Sequence, residues 1–153
     1  MKILVTGGTG YIGSHTVVEL QKKGFEVVIV DNLSNSHIDV LEKIEQISGI
    51  RPAFEEFDLT DKLKTSDFFK RNSDIGGIIH FAAFKAVGES VNDPLMYYHN
   101  NVGSLINILE NMKKYKIDNL VFSSSCTVYG QPEVLPVSED SPILKAMSPY
   151  GNT

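Results

Sequence analysis

Short apolar runs and amphipathic segments alternate along most of this chain. The apolar runs are continuous and rich in Val, Ile and Phe, which is typical of strands that are buried on both faces of a sheet. They predict strands over residues 3–6, 27–31, 53–57, 78–81 and 120–124. The segments between them predict helices over residues 11–23, 38–47, 63–71 and 95–114. This order predicts an α/β fold, a doubly wound parallel sheet with helices on both faces.

The longest predicted helix, over residues 95–114, has apolar residues at steps of three and four, which indicates one face of a helix. We expect this stripe to pack on the sheet, and its members are Leu95, Tyr98, Val102, Leu105, Leu109 and Met112. Three more apolar residues of the helix lie outside the stripe and are expected to be free for a partner, namely Met96, Tyr97 and Ile106. Asp61, and Asp93 with Pro94, predict the starts of two helices, because Asp caps a helix and Pro is tolerated in its first turn.

A glycine-rich turn joins the first predicted strand to the first predicted helix, with Gly7, Gly8, Gly10 and Gly13 in the segment VTGGTGYIG. Glycine adopts backbone conformations that a Cβ forbids, lets the chain approach a pyrophosphate closely, and lets helix and strand pack tightly. The start of the helix then presents free N–H groups and the positive end of its dipole to the phosphates. A group of glycines by itself also fits a purely structural turn.

An acidic residue at the end of the second predicted strand favours the dinucleotide interpretation. Asp31 follows the run EVVIV at the offset expected for a residue that binds the adenosine ribose hydroxyls. Its carboxylate would repel a 2′-phosphate, and no Lys or Arg follows it until Lys43, so NAD is favoured over NADP. Strand, turn, helix, strand and carboxylate together predict a Rossmann domain over residues 1–153 that binds NAD.

Composition and charge narrow the class of partner. The 153 residues are enough for one domain with one core. The net charge of −5, without a basic run, argues against nucleic acid and against an anionic membrane as partners. No apolar segment approaches the roughly 20 residues of a membrane span, and the first residues do not resemble a signal peptide. We therefore expect a cytoplasmic protein.

The cysteine and the histidines of this chain are expected to have structural roles. The single cysteine, Cys126, fits a reducing compartment and is expected to be a small buried side chain. The four histidines show no ligand spacing and have no Cys or carboxylate companions arranged as a metal site, so no metal is expected.

Polar and small residues follow the last three predicted strands, where open α/β sheets bind their ligands. Asp58 follows the third strand, the segment HFAAFKAVGES includes the end of the fourth, and FSSSCTVYG includes the end of the fifth. With TGGTGYIGSHT, DNLSNS, YYHNN and SPYG, these segments resemble the UDP-glucose 4-epimerase family, a branch of the extended short-chain dehydrogenase/reductases. The resemblance covers essentially the whole chain, and KAVGES and FSSS with TVYG are its most particular parts.

The resemblance implies roles for residues at all of these places. Tyr11 and Ile12 would offer amides to the pyrophosphate, beside the glycines of the turn. The other implied cofactor-binding residues are Asp31, Asn32, Leu33, Ser34, Asn35 and Ser36 around the adenosine ribose, Asp58 and Leu59 at the adenine, Phe81, Ala82, Ala83, Phe84 and Lys85 along the middle of the cofactor, and Asn100, Ser125 and Tyr150. Ser125 and Tyr150 match the catalytic residues of the family, and Lys85 would join them in contacting the substrate.

The implied reaction is NAD-dependent epimerisation at C4 of a UDP-hexose, through transient oxidation to the 4-keto sugar. Tyr150 would take the proton of the sugar hydroxyl, and Ser125 would bridge the sugar oxygen to Tyr150. The family's catalytic lysine would fall directly after Thr153. We therefore expect this chain to be the cofactor-binding part of a longer enzyme, ending before the last strands and the substrate domain, with little or no turnover alone. The resemblance also implies that the full-length parent is a homodimer.

Other interpretations fit parts of the same sequence. A nucleotide-sugar 4,6-dehydratase shares the fold and the cofactor, but it needs an Asp-Glu pair where this chain has Cys126, Thr127 and Val128. A reductase or decarboxylase of the same superfamily stays open, because its specificity would lie mostly in a C-terminal portion. A non-catalytic NAD-binding module is the alternative from a different class, and a residue other than Lys after Thr153 would favour it.

Overall fold

Five parallel strands form one sheet in the computed structural model, which describes all residues from Met1 to Thr153. The strands are β1 Lys2–Thr6, β2 Glu26–Asp31, β3 Ala53–Glu56, β4 Ile75–His80 and β5 Leu120–Phe122. Their spatial order is β3-β2-β1-β4-β5, and every neighbouring pair is parallel. The chain reverses its direction of winding between β3 and β4, so the carboxyl ends of β1 and β4 form the switch point where such sheets bind ligands. The predicted doubly wound α/β sheet is confirmed.

Helices connect the strands, and the predicted boundaries hold to within a few residues. The helices are α1 Tyr11–Lys22, α2 Val40–Ser48, α3 Lys62–Arg71, α4 Val87–Asn92, α5 Pro94–Tyr97 and α6 Gly103–Tyr115. A π-helical segment, Tyr98–Val102, continues α5 into α6, and two 3₁₀ turns, Cys126–Tyr129 and Tyr150–Asn152, follow β5. The short helix α4 was not predicted, because its six residues are too few to show a helical period.

The chain divides into two compact units. The first, called the sheet unit, consists of Met1–Ala82 and Ser104–Ser123 and contains all five strands with α1, α2, α3 and nearly all of α6. The second, called the helical unit, consists of Ala83–Gly103 and Ser124–Thr153 and contains α4, α5, the π-helical segment and both 3₁₀ turns.

The sheet unit has two hydrophobic clusters where the chain length suggested one core. Leu4 of β1 belongs to a cluster with Phe68 of α3 and Ile108 of α6. Its neighbour Ile3 belongs to the other cluster, with Val17 of α1 and residues of α2. Successive side chains of a strand point to opposite faces of the sheet, so each face buries its own set. The prediction of a single core was therefore wrong, since a sheet covered on both faces separates the two sets.

The long helical run from α5 to α6 does not bury its predicted stripe. Leu95 is 78% exposed and Leu109 is 43% exposed, whereas Tyr97, predicted to be free for a partner, is completely buried. The buried residues of the run are Tyr97, Asn101, Ser104, Asn107, Ile108, Asn111 and Met112. This face is one position away from the stripe, and it is mostly polar. Of the predicted stripe, Met112 is buried, Val102 and Leu105 are half-buried, and Leu95, Tyr98 and Leu109 are exposed. Buried asparagine is tolerated where its amide finds partners, so hydrophobic periodicity did not identify the most buried face.

Two helix starts follow the sequence signals. The Asp61 carboxylate accepts hydrogen bonds from the backbone N–H groups of Leu63 and Lys64 at 3.1 and 3.0 Å, and Asp93 accepts one from Met96 at 3.1 Å with Pro94 in the first turn. Both predicted caps are confirmed. None of the helices combines the length and the apolar character that a membrane crossing requires.

Candidate functional site

The glycine turn lies at the carboxyl end of β1, against the backbone that follows β4. Gly7 has a φ of +67°, and a Cβ there would stand 2.8 Å from the backbone nitrogen of Ala82 and 2.9 Å from the carbonyl carbon of Phe81. A Cβ on Gly13 would overlap the carbonyl oxygen of Gly7. Both positions therefore require glycine, and this allows β1, α1 and the end of β4 to approach closely.

Helix α1 begins in this turn without a side-chain cap. Its N-cap is Gly10, and its first turn contains no acidic residue. The first helical hydrogen bond runs from the Ser14 N–H to the Gly10 carbonyl at 2.9 Å. The N–H groups of Tyr11, Ile12 and Gly13 come before it and therefore have no acceptor within the helix. The side chains of Tyr11 and Ile12 are exposed. These amides and the helix dipole favour an anion at this end of α1.

Asp31 ends β2, and three protein groups hold its carboxylate. Oδ1 accepts hydrogen bonds from the Leu33 N–H at 3.0 Å and from the Ser36 hydroxyl at 3.2 Å. Oδ2 accepts one from the Thr9 N–H, in the glycine turn, at 3.2 Å. An ionised carboxylate has about four acceptor positions, so Oδ2 can still accept from a ligand hydroxyl.

The loop after β3 is connected to the loop after β2. Asp58 accepts hydrogen bonds from the Asn32 amide at 3.2 Å and from the Thr60 N–H and hydroxyl at 2.8 and 2.7 Å. Leu59 belongs to a hydrophobic cluster, and its carbonyl accepts hydrogen bonds from Thr65 and Asn107 at 3.1 and 2.8 Å. The buried Leu59 side chain has little surface left for an adenine, and its implied contact stays a prediction.

A buried hydrogen bond joins β1 to β4 at the level of the glycine turn. The Thr6 hydroxyl and Nδ1 of His80 are 2.7 Å apart, and the Ala82 N–H donates to the same hydroxyl at 3.4 Å. Burial lowers the pKa of His80 to about 4, so the imidazole is neutral at physiological pH. His80 therefore has a structural role at the switch point. Because its imidazole is neutral, it needs no negatively charged partner there.

In the helical unit, the π-helical segment holds the backbone that follows Ala83. Oδ1 of Asn101 accepts a hydrogen bond from the Phe84 N–H at 2.8 Å, and its Nδ2 donates to the Phe84 carbonyl at 3.0 Å and to the Thr153 hydroxyl at 3.0 Å. The neighbouring Asn100 amide donates to Asn101 at 2.9 Å. Asn101 was not predicted from the sequence. Its only signal was the recurrence of small polar residues along one helical face, at positions 101, 104, 107 and 111.

Tyr97 contacts residues of both segments of the helical unit. Its hydroxyl donates to the Glu89 carboxylate at 2.6 Å and accepts from the Ala86 N–H at 3.0 Å. Its ring meets the ring of Tyr150 edge to face, with centroids 6.3 Å apart. A buried aromatic with a satisfied hydroxyl is a rigid neighbour, so Tyr97 restricts where the Tyr150 ring can lie.

Ser125 and Tyr150 each begin a tight turn in the helical unit. The Ser125 oxygen accepts a hydrogen bond from the Thr127 N–H at 3.3 Å, which leaves the Ser125 proton available to another acceptor. A Cβ on Gly151 would stand 3.1 Å from Cβ of Thr127, so the residue after Tyr150 packs on the turn that Ser125 begins. Cys126 lies in that turn and is exposed. The prediction that it is buried was wrong, because the turn faces outward at this residue.

The predicted site residues fall into two groups. The sheet unit contains Gly7, Gly10, Tyr11, Ile12, Gly13, Asp31, Asn32, Leu33, Ser34, Asn35, Ser36, Asp58, Leu59, Phe81 and Ala82. The helical unit contains Ala83, Phe84, Lys85, Asn100, Ser125 and Tyr150. Lys85 is exposed beside the Phe84 backbone that Asn101 holds. No three His, Cys, Asp or Glu side chains come together in a way that could hold a metal ion.

Residues 3–153 match the profile of the NAD dependent epimerase/dehydratase family. The chain belongs to this family. Among curated members, UDP-glucose 4-epimerase of Bacillus subtilis (strain 168) is 52% identical over 153 residues, which is 100% of this chain and 44% of the relative. UDP-glucose 4-epimerase of Schizosaccharomyces pombe is 50% identical over 155 residues, covering 99% of this chain and 43% of the relative. The chain thus spans less than half the length of the curated relatives it matches.

Solved structures of family members share this fold. A crystal structure of UDP-glucose-4-epimerase from Stenotrophomonas maltophila, with bound NAD and formylated UDP-arabinopyranose, has a TM-score of 0.93 and 45% identity, over 99% of this chain and 45% of that chain. The UDP-glucose 4-epimerase of Bifidobacterium longum, in complex with NAD+ and UDP, has a TM-score of 0.95 and 44% identity, over the same shares. The predicted family and the Rossmann-like sheet are therefore confirmed.

Proposed function

We propose that this chain binds NAD and is the cofactor-binding part of a UDP-glucose 4-epimerase, which interconverts UDP-glucose and UDP-galactose. The observation that carries the proposal is the combination of the uncapped start of α1 with the Asp31 carboxylate, joined by the Thr9 N–H, in a chain of an NAD-dependent family. One end of this arrangement suits a pyrophosphate, and the other suits a ribose.

The residues present fit the cofactor. The pyrophosphate would accept hydrogen bonds from the Tyr11 and Ile12 amides, at the end of α1 that no side chain caps. The adenosine ribose would donate to Oδ2 of Asp31. No acidic side chain stands in the first turn of α1 to compete with the phosphates.

In the proposed reaction, NAD would supply the redox chemistry when bound, since the hydride that leaves C4 of the sugar must be held until it returns to the opposite face of the 4-keto sugar. Tyr150 would remove the proton of the 4-hydroxyl and later give it back, and Ser125 would donate a hydrogen bond that keeps the sugar oxygen in line with the phenol. The proton that Ser125 does not use within its own turn is the one this role needs. Lys85 would approach the cofactor or the substrate from its exposed position.

NAD binding by the chain is the first test of the proposal. We expect calorimetry to show binding of NAD at one site, and Asp31→Ala to weaken it at least tenfold, because a charge-assisted hydrogen bond contributes about 1.5–3 kcal/mol. Asp39→Ala is the matched control, since the Asp39 carboxylate is exposed and pairs with Lys43 at 2.7 Å. A folded chain that does not bind NAD would refute the proposal.

The reaction can be tested by exchange with a relative. We would replace the corresponding N-terminal part of the Bacillus subtilis enzyme, which is 52% identical, with this chain and measure conversion of UDP-galactose. We expect turnover, and we expect Tyr150→Phe and Ser125→Ala to reduce kcat by at least 100-fold while NAD binding is retained. A chimera that binds NAD and UDP-galactose but does not convert the sugar would instead support a non-catalytic NAD-binding module.

We also propose that the complete enzyme is a cytoplasmic homodimer that takes part in galactose metabolism. The exposed apolar residues Ile106 and Leu109 of α6 support a partner surface on that helix. The exposed free thiol of Cys126 is compatible with a reducing compartment.

A further inference from the structure

The Asp31 carboxylate is part of a closed ring of hydrogen bonds that includes Thr9 and Ser36. The Thr9 N–H donates to Oδ2 of Asp31 at 3.2 Å, and the Ser36 hydroxyl lies 3.2 Å from Oδ1. The Thr9 and Ser36 hydroxyl oxygens are 2.7 Å apart, which closes the ring. Thr9 is only 2% exposed, so its hydroxyl cannot contact a ligand directly.

The chemistry of the groups determines the direction of these bonds. An ionised carboxylate only accepts hydrogen bonds, so Ser36 must use its single proton on Asp31. The Thr9 hydroxyl must then donate to the Ser36 oxygen. Thr9 therefore supplies both donors on its side of the ring, one directly from its backbone and one relayed through Ser36.

The ring connects two parts of the proposed cofactor site. Thr9 lies between Gly7 and Gly10 in the glycine turn, whereas Asp31 and Ser36 belong to the end of β2 and the loop that follows it. With each carboxylate oxygen held from a different direction, the carboxylate plane cannot rotate freely. Oδ2 then keeps its remaining acceptor position in one place relative to the α1 amides, and this lowers the entropy cost of ordering the carboxylate when a ligand binds.

We propose that Thr9 and Ser36 are positioning residues for dinucleotide selectivity, which hold Asp31 so that its Oδ2 accepts the 2′-hydroxyl of the adenosine ribose. This inference rests on the proposed NAD binding and deepens it. The ring contains no cation, so the carboxylate keeps its charge for repelling a 2′-phosphate. Selectivity for the hydroxyl thus depends on two neutral side chains in addition to the acid.

The test compares NAD with the analogue that lacks the adenosine 2′-hydroxyl, by calorimetry on the full chain. We expect wild type to bind NAD about tenfold more tightly than the analogue. In Thr9→Val and in Ser36→Ala the difference should fall below threefold, because NAD loses affinity while the analogue does not. Thr9→Ser retains the hydroxyl and should restore the difference. Thermal unfolding of each variant reports on the fold, and a purely structural role would not change the ratio between the two ligands.

The outcomes separate this inference from the proposed function. If wild type does not bind NAD, both fail. If wild type discriminates between the ligands and Thr9→Val discriminates equally well, only the positioning role is overturned. In an Asp31→Ala background, Thr9→Val should have no further effect on the ratio. A further loss there would show that Thr9 does not act through Asp31, and would also overturn the inference.

Discussion

At the scale of single residues, the site depends on positions where glycine has no Cβ as much as on the side chains that are present. Gly13 is required because a Cβ would overlap the Gly7 carbonyl and would stand 2.9 Å from Cα of Gly8. Other glycines have room, such as Gly103, where a Cβ would meet no atom within 4 Å beyond the nearby backbone of its own helix and its chain neighbours. The same residue type therefore has opposite consequences at the two positions.

Replacement of these two glycines by alanine should shift stability in opposite directions. Gly13→Ala should lower the free energy of unfolding by about 1–3 kcal/mol, the usual cost of overpacking, and should abolish NAD binding. Gly103→Ala should raise it by about 0.5–1 kcal/mol, because alanine is the better helix former and nothing obstructs it. Urea unfolding measures both. If Gly13→Ala leaves the free energy of unfolding and NAD binding unchanged, the turn can open to accept a Cβ without loss of stability.

His80 makes stability depend on pH. Its pKa is about 4 in the folded chain and about 6.5 when unfolded, because burial disfavours the imidazolium. The unfolded chain therefore binds more protons between these values, and stability falls as the pH is lowered from 6.5 towards 4. The loss should reach about 3 kcal/mol, at 1.36 kcal/mol for each pKa unit.

The control for this pH dependence is His80→Gln, which does not titrate and can still pair with the Thr6 hydroxyl. Urea unfolding at pH 7, 6, 5 and 4 should show a smaller decline for the variant than for wild type. Identical slopes would mean that His80 does not contribute, and that carboxylates account for the acid sensitivity.

At the scale of secondary-structure elements, the long helical run is stabilised by polar contacts. Nδ2 of Asn107, on α6, donates to the carbonyls of Leu59 and Thr60 at 2.8 and 3.2 Å, which holds the loop that follows Asp58. Asn111, one turn later and equally buried, donates only within its own helix, to the Asn107 carbonyl at 2.8 Å. Asn107 therefore connects α6 to the loop between β3 and α3, whereas Asn111 does not connect α6 to another element.

We expect the leucine substitutions of these asparagines to differ. Asn107→Leu removes the donor to two backbone carbonyls of the β3–α3 loop and should cost about 1–3 kcal/mol of unfolding free energy. Asn111→Leu should cost less than half as much, because its donor satisfies a carbonyl that already accepts within the helix. Chemical denaturation compares the two, and equal losses would indicate that burial volume matters more than the hydrogen bonds.

At the scale of the whole molecule, apolar residues remain exposed on the long helical run. Ile106 and Leu109 belong to the same face of α6, and they lie outside both hydrophobic clusters. Such residues side by side on a helix are typical of an interface. We therefore expect the proposed homodimer of the complete enzyme to bury these two residues.

In the active chimera described above, the double variant Ile106→Asp with Leu109→Asp should shift the sedimentation coefficient from dimer to monomer. Ile47→Asp is the control, because Ile47 is also apolar and is even more exposed, but it lies on α2. A dimer that survives the double variant, or one that Ile47→Asp disrupts, would locate the interface elsewhere.

The sequence by itself determined the features that depend on residues close together in the chain. The apolar runs determined the order of strands and helices, Asp61 and Asp93 determined where two helices begin, and the glycines of the turn indicated a close backbone approach. These signals are local, since a strand, a cap or a turn is specified by the residues that form it. The strand that ends in Asp31 could be predicted for the same reason.

Only the tertiary structure decided which face of the long helix is buried, that Cys126 is exposed, and that Thr9 and Ser36 meet at Asp31. Each of these depends on residues that are distant in sequence, such as Thr9 and Ser36, which are 27 positions apart. The hydrophobic period placed the stripe one position away from the buried face, because a hydrophobic period contains no information about hydrogen bonds that an asparagine makes with another element. Long-range partners decide which polar groups can be buried, and folding alone brings those partners together.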